Sequence, residues 1–185
     1  HPVDPQDVED ALRADTAREI VAVFVVQTDT ASAVTSDVDA LRAAVDASGH
    51  PALFVVDAVA TLGAMPLRFD AQRIDVVVGA SQKGLMLPPG LSFTAVSDKA
   101  IAAMKTAKLT RSYFNWDDML AMNETGFFPY TPATSLLYGL QEAIGIAERD
   151  FQGLVIWQQK EPFSAGADLA GALGALQAGK VEQFD

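Results

Sequence analysis

The stretch DVVVGASQKGLMLPPG, residues 75–90, runs three consecutive valines into a glycine and then sets a single lysine, Lys83, just beyond them. Branched apolar residues without polar alternation suit a short strand covered on both faces, as in parallel sheets. Pro88, Pro89 and Gly90 force a turn soon afterwards. Lys83 is therefore expected in a loop just past a buried strand, where an ammonium is costly to desolvate unless something uses it.

Working outward, PALFVVD (residues 51–57) and EIVAVFVV (residues 19–26) read as two further two-sided strands. Between them a helix is expected from Ser36 or Asp37, with Val38, Leu41 and Val45 on one side and Gly49 near its stop. Strand, helix and strand with short connections predict a parallel α/β unit with a right-handed crossover. An earlier helix starts at Asp4 and Pro5, with Val8, Ala11 and Leu12 at helical spacing. Downstream, LSFTAVSD reads as a strand ending in a cap at Ser97 or Asp98, and DKAIAAMKTAK as a helix with a basic carboxyl end. The aromatic stretch 110–130, with Tyr113, Trp116, Phe127 and Phe128, reads as irregular packing. TPATSLLYGLQEAIGIAERD then reads as an amphipathic helix opened by Thr131 and Pro132. From about Phe151 the character changes to a strand, a polar turn, a small-residue loop and a glycine-interrupted helix from near Asp168.

The composition bounds the function. The chain has 185 residues, 50% of them hydrophobic, which suits one ordinary domain with a real core. With 24 acidic and 13 basic residues the net charge is −11, which argues against nucleic acid or an anionic membrane as the main partner. The longest apolar run, residues 20–26, is far shorter than the roughly 20 residues a bilayer requires. No leader of the secretory type is recognisable, and the expected location is cytoplasmic. HPVDPQDVEDALRAD reads as the middle of something longer. Without cysteine there is no disulfide framework, thiolate site or cysteine nucleophile. His1 and His50 are poorly placed for a metal.

In a parallel sheet the loops at the carboxyl ends of the strands share one edge, and ligands bind there. Thr28, Asp29 and Thr30 follow the first strand, Asp57 ends the second, and Ser81, Gln82 and Lys83 follow the third. Taken alone, Lys83 reads as a surface lysine, Asp57 as a turn cap or one half of an ion pair, and Thr30 and Thr131 as caps. Taken together they suit pyridoxal phosphate. An amine in a poorly solvated pocket has a lowered pKa and can attack an aldehyde to form a Schiff base. An ionised aspartate beside the pyridine nitrogen keeps it protonated, so the ring accepts electrons. Asp57 could serve there, Val59 could rest on one ring face, and Thr30, Ser81 and Gln82 are suitable donors to a phosphate.

The segment VVDAVATLGAMPLRFDAQRIDVVVGASQKGLMLPPGLSF, residues 55–93, resembles the cofactor-binding core of the class V aminotransferases, which are fold type I pyridoxal-phosphate enzymes. It is most similar to the alanine- or serine-glyoxylate members. VVQTDTASAV and FFPYTPATSLLYGLQEA extend the resemblance over about residues 1–149. The resemblance implies an α/β fold, part of the fold type I large domain with a mostly parallel sheet. It implies Lys83 as the Schiff-base lysine, Asp57 as partner of the pyridine nitrogen and Val59 against the ring. Thr30 and Gln82 match positions that bond the ring hydroxyl or phosphate, and Thr131 matches one that reaches the phosphate of the neighbouring subunit in a homodimer. Ala33 stands where such segments commonly carry glycine. The implied reaction moves an amino group from a small amino acid, alanine or serine, to glyoxylate or a similar 2-oxo acid. The family's phosphate loop, ring-stacking aromatic and substrate-binding arginine have no matching segment here, so little turnover is expected.

The tail FQGLVIWQQKEPFSAGADLAGAL instead resembles the crotonase family, the enoyl-CoA hydratases, in which a backbone N–H at the position of Ala167 serves an oxyanion hole. This divides the chain into residues 1–150 and 151–185, with a junction near Asp150, the second part being a crotonase-like fragment or a divergent aminotransferase tail. The alternatives to an aminotransferase core are therefore an acyl-CoA hydratase or isomerase segment and a nonfunctional fusion of two pieces.

Overall fold

In the computed structural model, which describes residues 2–150, strands β1 (Ala22–Val26), β2 (Leu53–Asp57), β3 (Val76–Ala80) and β4 (Ser92–Val96) form one sheet in that order. The first three are parallel and β4 is antiparallel to β3. Val26 pairs with Asp57, and Asp57 with Val78. The carboxyl ends of β1 and β2 thus finish level, and β3 continues two residues further to Ala80. This is the predicted mostly parallel α/β sheet.

Helix boundaries follow local chemistry. Asp4 accepts from the Gln6 N–H ahead of α1 (Pro5–Ala14), Asp37 from Ala40 ahead of α2 (Val38–Ser48), and Ser97 from Ala100 ahead of α3 (Asp98–Thr106). Each such cap contributes about 1 kcal/mol. Gly49 ends α2 at φ 64°, a left-handed conformation that is costly for other residues.

The two faces of the sheet have different cover. Leu12 of α1 and Val38, Leu41 and Val45 of α2 pack on Phe54, Val56 and Val77, with Val8 at the margin. Leu41 and Phe54 are fully buried, and each such burial contributes about 1.5–3 kcal/mol. On the opposite face Ala100 of α3 packs with Val55 and Val76, flanked by Trp116.

Three readings from sequence change. Two-sided burial holds for β2 and for Val76 and Val77 of β3 but not for β1, where Phe24 is 78% and Val26 48% exposed. β1 is the edge strand of the described sheet and has a neighbour on one side only. The aromatic stretch is not wholly irregular, because Trp116–Asn123 forms helix α4 without a side-chain cap at Asn115. Helix α5 (Thr134–Asp150) begins after Thr131 and Pro132, since the Pro132 carbonyl is taken in a turn by the Thr134 N–H at 2.9 Å. The expected tail, its junction near Asp150 and Ala167 lie outside the described residues. No helix among the described residues is long and apolar enough to cross a membrane.

Candidate functional site

The parallel ladder delivers three loops to one rim. Gln27 N–H donates to the Asp57 carbonyl at 2.9 Å and Ala58 N–H to the Val78 carbonyl at 2.8 Å, which carries the pairing one residue past the ends of β1 and β2. Residues 28–35, 58–65 and 81–91 leave from this edge. Asp57 is exposed there, and its Oδ1 accepts from the Val59 N–H at 2.8 Å. The turn-capping role is thus real but occupies one oxygen; Oδ2 takes no hydrogen bond among the described residues. Val59 is half-buried beside it.

Lys83 lies in the loop after β3 and is half-buried. Its carbonyl accepts from Met86 N–H at 2.9 Å, forming a tight turn. Its Nζ has no hydrogen-bond or ion-pair partner among the described residues, so the simple Asp57–Lys83 salt bridge is not formed. Gln82 is exposed next to it. Glycines seat this loop against residues 58–65. A Cβ on Gly84 would lie 2.4 Å from the Leu62 carbonyl oxygen and 2.9 Å from Ala64 N, and one on Gly79 would lie 2.3 Å from the Leu62 side chain. At Gly84 the contact is with backbone, so glycine is required there for close backbone approach, whereas at Gly79 the Leu62 side chain would have to turn aside.

Ser81 differs from its expected role. It was a candidate phosphate donor, yet it is fully buried, and its hydroxyl donates to the Pro88 carbonyl at 2.8 Å while accepting from Leu91 N–H at 3.2 Å. With both capacities used inside the loop, Ser81 is a structural tie.

Thr30 is exposed in the loop after β1, with no hydroxyl partner among the described residues. The loop is held by its neighbours. Thr28 and Thr35 hydroxyls lie 3.0 Å apart, and Asp29 accepts from the Ser32 hydroxyl at 2.6 Å and from the Ala31 and Ser32 N–H groups. The Ser32 hydroxyl, followed by those two N–H groups, holds the Asp29 carboxyl below its ordinary range. Ala33 has φ 55°, the left-handed region, which explains why glycine suits this position.

A buried tie between loops escapes the sequence reading. Gln27, 5% exposed, accepts from the Thr61 hydroxyl at 2.6 Å and donates to the Pro66 carbonyl at 3.3 Å. A polar residue directly after an apolar strand was the available signal, but its partner 34 residues away was not.

Thr131 is exposed, and residues 126–132 line a wide, open concavity with no charged side chain. No hydrogen bond among the described residues joins it to Thr30, Asp57, Gln82 or Lys83. Its connection to the rim is indirect: a Cβ on Gly90 would lie 2.6 Å from Leu136, and one on Gly139 would lie 3.2 Å from Leu87, so α5 rests on the loop that carries Lys83. The rim, with its unpaired amine and half-used carboxylate, carries more reactive chemistry than this concavity. Among the described residues no group of three or more His, Asp or Glu could hold a metal. The rim groups instead fit pyridoxal phosphate: an amine without a partner, an open carboxylate oxygen, a half-buried apolar residue beside it, and exposed hydroxyl and amide donors.

The fold and this rim define a class, the fold type I aminotransferases. The crystal structure of pyridoxamine-pyruvate aminotransferase from Mesorhizobium loti superposes with a TM-score of 0.72 at 33% identity, covering 83% of this chain and 39% of that one. The aminotransferase class-V family matches residues 2–162, and the chain belongs to that family. The serine–glyoxylate aminotransferase of Methylorubrum extorquens is 49% identical over 145 residues, covering 76% of this chain and 36% of the relative. The L-aspartate–glyoxylate aminotransferase of Paracoccus denitrificans is 44% identical over 132 residues, covering 71% of this chain and 33% of the relative. The chain thus spans about a third of the length of these curated relatives.

Proposed function

We propose that this chain is the cofactor-binding core of a glyoxylate-linked aminotransferase. The observation that carries the reading is Lys83: a half-buried residue whose amine has no partner among the described residues, in a tightly seated loop at the rim that also holds the open carboxylate of Asp57. When bound, pyridoxal phosphate supplies an electron sink for the bond-breaking step at the amino acid.

The chain's own residues do the rest. Lys83 would hold the cofactor through its Nζ and, as a free amine, would accept and return a proton at the reacting carbon. Asp57, through its open Oδ2, would hold a proton on the ring nitrogen, while its Oδ1 bond to Val59 N–H fixes the carboxylate plane. Val59 would orient the ring from one face. Thr30 and Gln82 would bond the ring hydroxyl or phosphate. Thr131 would reach the phosphate of a partner copy in a homodimer. The amino donor is serine or another small amino acid and the acceptor is glyoxylate, as the names of the similar proteins imply.

The test is capture of the cofactor. After incubation with pyridoxal phosphate and borohydride reduction, the cofactor's mass is expected on the peptide containing Lys83 and is lost in Lys83→Ala. A label that falls on other lysines, or persists in that variant, overturns the reading. Amino transfer from serine to glyoxylate, followed by product formation, tests the substrate assignment separately.

A further inference from the structure

We propose that Ser81 is a positioning residue for Lys83. Its buried hydroxyl closes the neck of the loop formed by residues 81–91, and the Gly63–Gly84 backbone contact braces the same loop from the side, so the amine is presented from a fixed backbone.

The loop is short of backbone donors. Pro88 and Pro89 have no N–H, so the turn following Lys83 cannot close on their amides. Ser81 supplies the missing bonds. Its N–H donates to the Leu91 carbonyl at 3.1 Å and its carbonyl accepts from Leu87 N–H at 3.1 Å. Its hydroxyl donates to the Pro88 carbonyl at 2.8 Å and accepts from Leu91 N–H at 3.2 Å. One residue two positions before Lys83 therefore binds three residues beyond it, and alanine would keep only the two backbone bonds.

The brace is steric. A Cβ built on Gly63 would lie 3.2 Å from the Gly84 carbonyl, and one on Gly84 would lie 2.4 Å from the Leu62 oxygen. The residue directly after Lys83 is thereby pressed on the turn that follows Asp57. A serine tie on one flank and a backbone contact on the other hold the backbone on both sides of Lys83.

The inference rests on the reading of Lys83 as the cofactor amine, so the experiment has one arm that needs the cofactor and one that does not. In the full chain, pyridoxal-phosphate capture by Lys83 is timed by borohydride quenching, and reductive methylation by formaldehyde is followed at Lys83 and at Lys99. A loosened loop offers its amine more freely to a small aldehyde but delivers it less accurately to a bound one. Ser81→Ala is expected to slow capture about tenfold, the scale of a lost buried hydrogen bond, while methylation of Lys83 rises. Lys99, whose ammonium is held at 2.7 Å by the Ala52 carbonyl, reports general loosening and is expected to stay unchanged. Gly84→Ala should produce the same opposed pair of changes from the other flank. Equal methylation of Lys83 in wild type and both variants, or a rise at Lys99 matching that at Lys83, overturns the proposal. Wild-type protein that captures no cofactor at Lys83 overturns the functional reading instead, and the methylation arm then decides the clamp alone.

Discussion

An aspartate and a lysine stand at each end of this sheet, and the two pairs are used in opposite ways. At the amino end Asp75 is buried, and its carboxylate accepts from the Phe54 N–H at 2.8 Å, the Ser97 hydroxyl at 2.9 Å and the Lys99 ammonium at 3.1 Å. Nearby, Asp15 accepts from Ile20 N–H at 2.6 Å and Glu19 N–H at 3.1 Å and lies 3.3 Å from His50 Nε2. His50 Nδ1 in turn accepts from Ala52 N–H at 3.1 Å. At the carboxyl end Asp57 is exposed with one oxygen engaged, and the Lys83 amine has no partner among the described residues. The same residue types bind the fold together where their hydrogen-bonding capacity is consumed and offer chemistry where it is not. Residue type alone does not distinguish the two ends.

Four changes would break or sharpen this contrast. Asp75→Ala leaves the buried Phe54 N–H unpaired and releases Ser97 and Lys99, so we expect a loss of about 2–3 kcal/mol, read from the urea midpoint. A loss below about 0.5 kcal/mol, the size of an ordinary surface substitution, would mean the amino end is not sealed as described. Asp57→Ala should reverse the pattern, with stability within about 0.5 kcal/mol of wild type but pyridoxal-phosphate affinity lowered about tenfold, equivalent to about 1.4 kcal/mol. Equilibrium titration of the cofactor alongside urea unfolding separates the two effects.

The third change concerns pH. The Ile20 N–H first, then the Glu19 N–H and the nearby His50, hold the Asp15 carboxyl below its ordinary range. A carboxyl whose folded pKa is depressed contributes stability above its unfolded pKa, about 4, and that contribution is lost as pH falls through the lower folded value. Asp15→Asn should therefore be less stable than wild type at neutral pH, with the gap closing in acid. A gap independent of pH would show that the charge of Asp15 is immaterial. The smallest effect is expected at Ala33. Its φ of 55° costs a non-glycine residue about 1–2 kcal/mol, and the added unfolded-state entropy of glycine offsets part of the relief. Ala33→Gly should thus raise stability by about 0.5 kcal/mol, seen as a small upward shift in Tm.

Much of the fold is legible locally. Asp4 with Pro5, Asp37 with Gly49, and Ser97 mark helix boundaries because a cap needs only groups two or three residues away. The parallel order of β1 and β2 follows from strand, helix and strand, whereas β3 joins in parallel through a connection without a helix, and the resulting register brings Asp57 and Lys83 to one rim. What was not legible depends on distant partners. The exposure of Phe24 follows from β1 being the edge of the described sheet, although its residues read like those of buried β2. The α4 helix is short, has no buried residue and no side-chain cap, and so carries little amphipathic signal, and the tie from Thr61 to Gln27 spans two loops.

The sequence by itself determined which residues end strands and open helices, and hence that a lysine and an aspartate leave a parallel sheet at a common edge, because those choices depend on backbone propensity and nearest neighbours. Tertiary structure alone decided that Asp75 is consumed while Asp57 keeps an open oxygen, and that Ser81 binds its own loop. A hydrogen-bonding group is satisfied or left available by what other segments bring within about 3 Å of it, and that proximity exists only once the chain has folded.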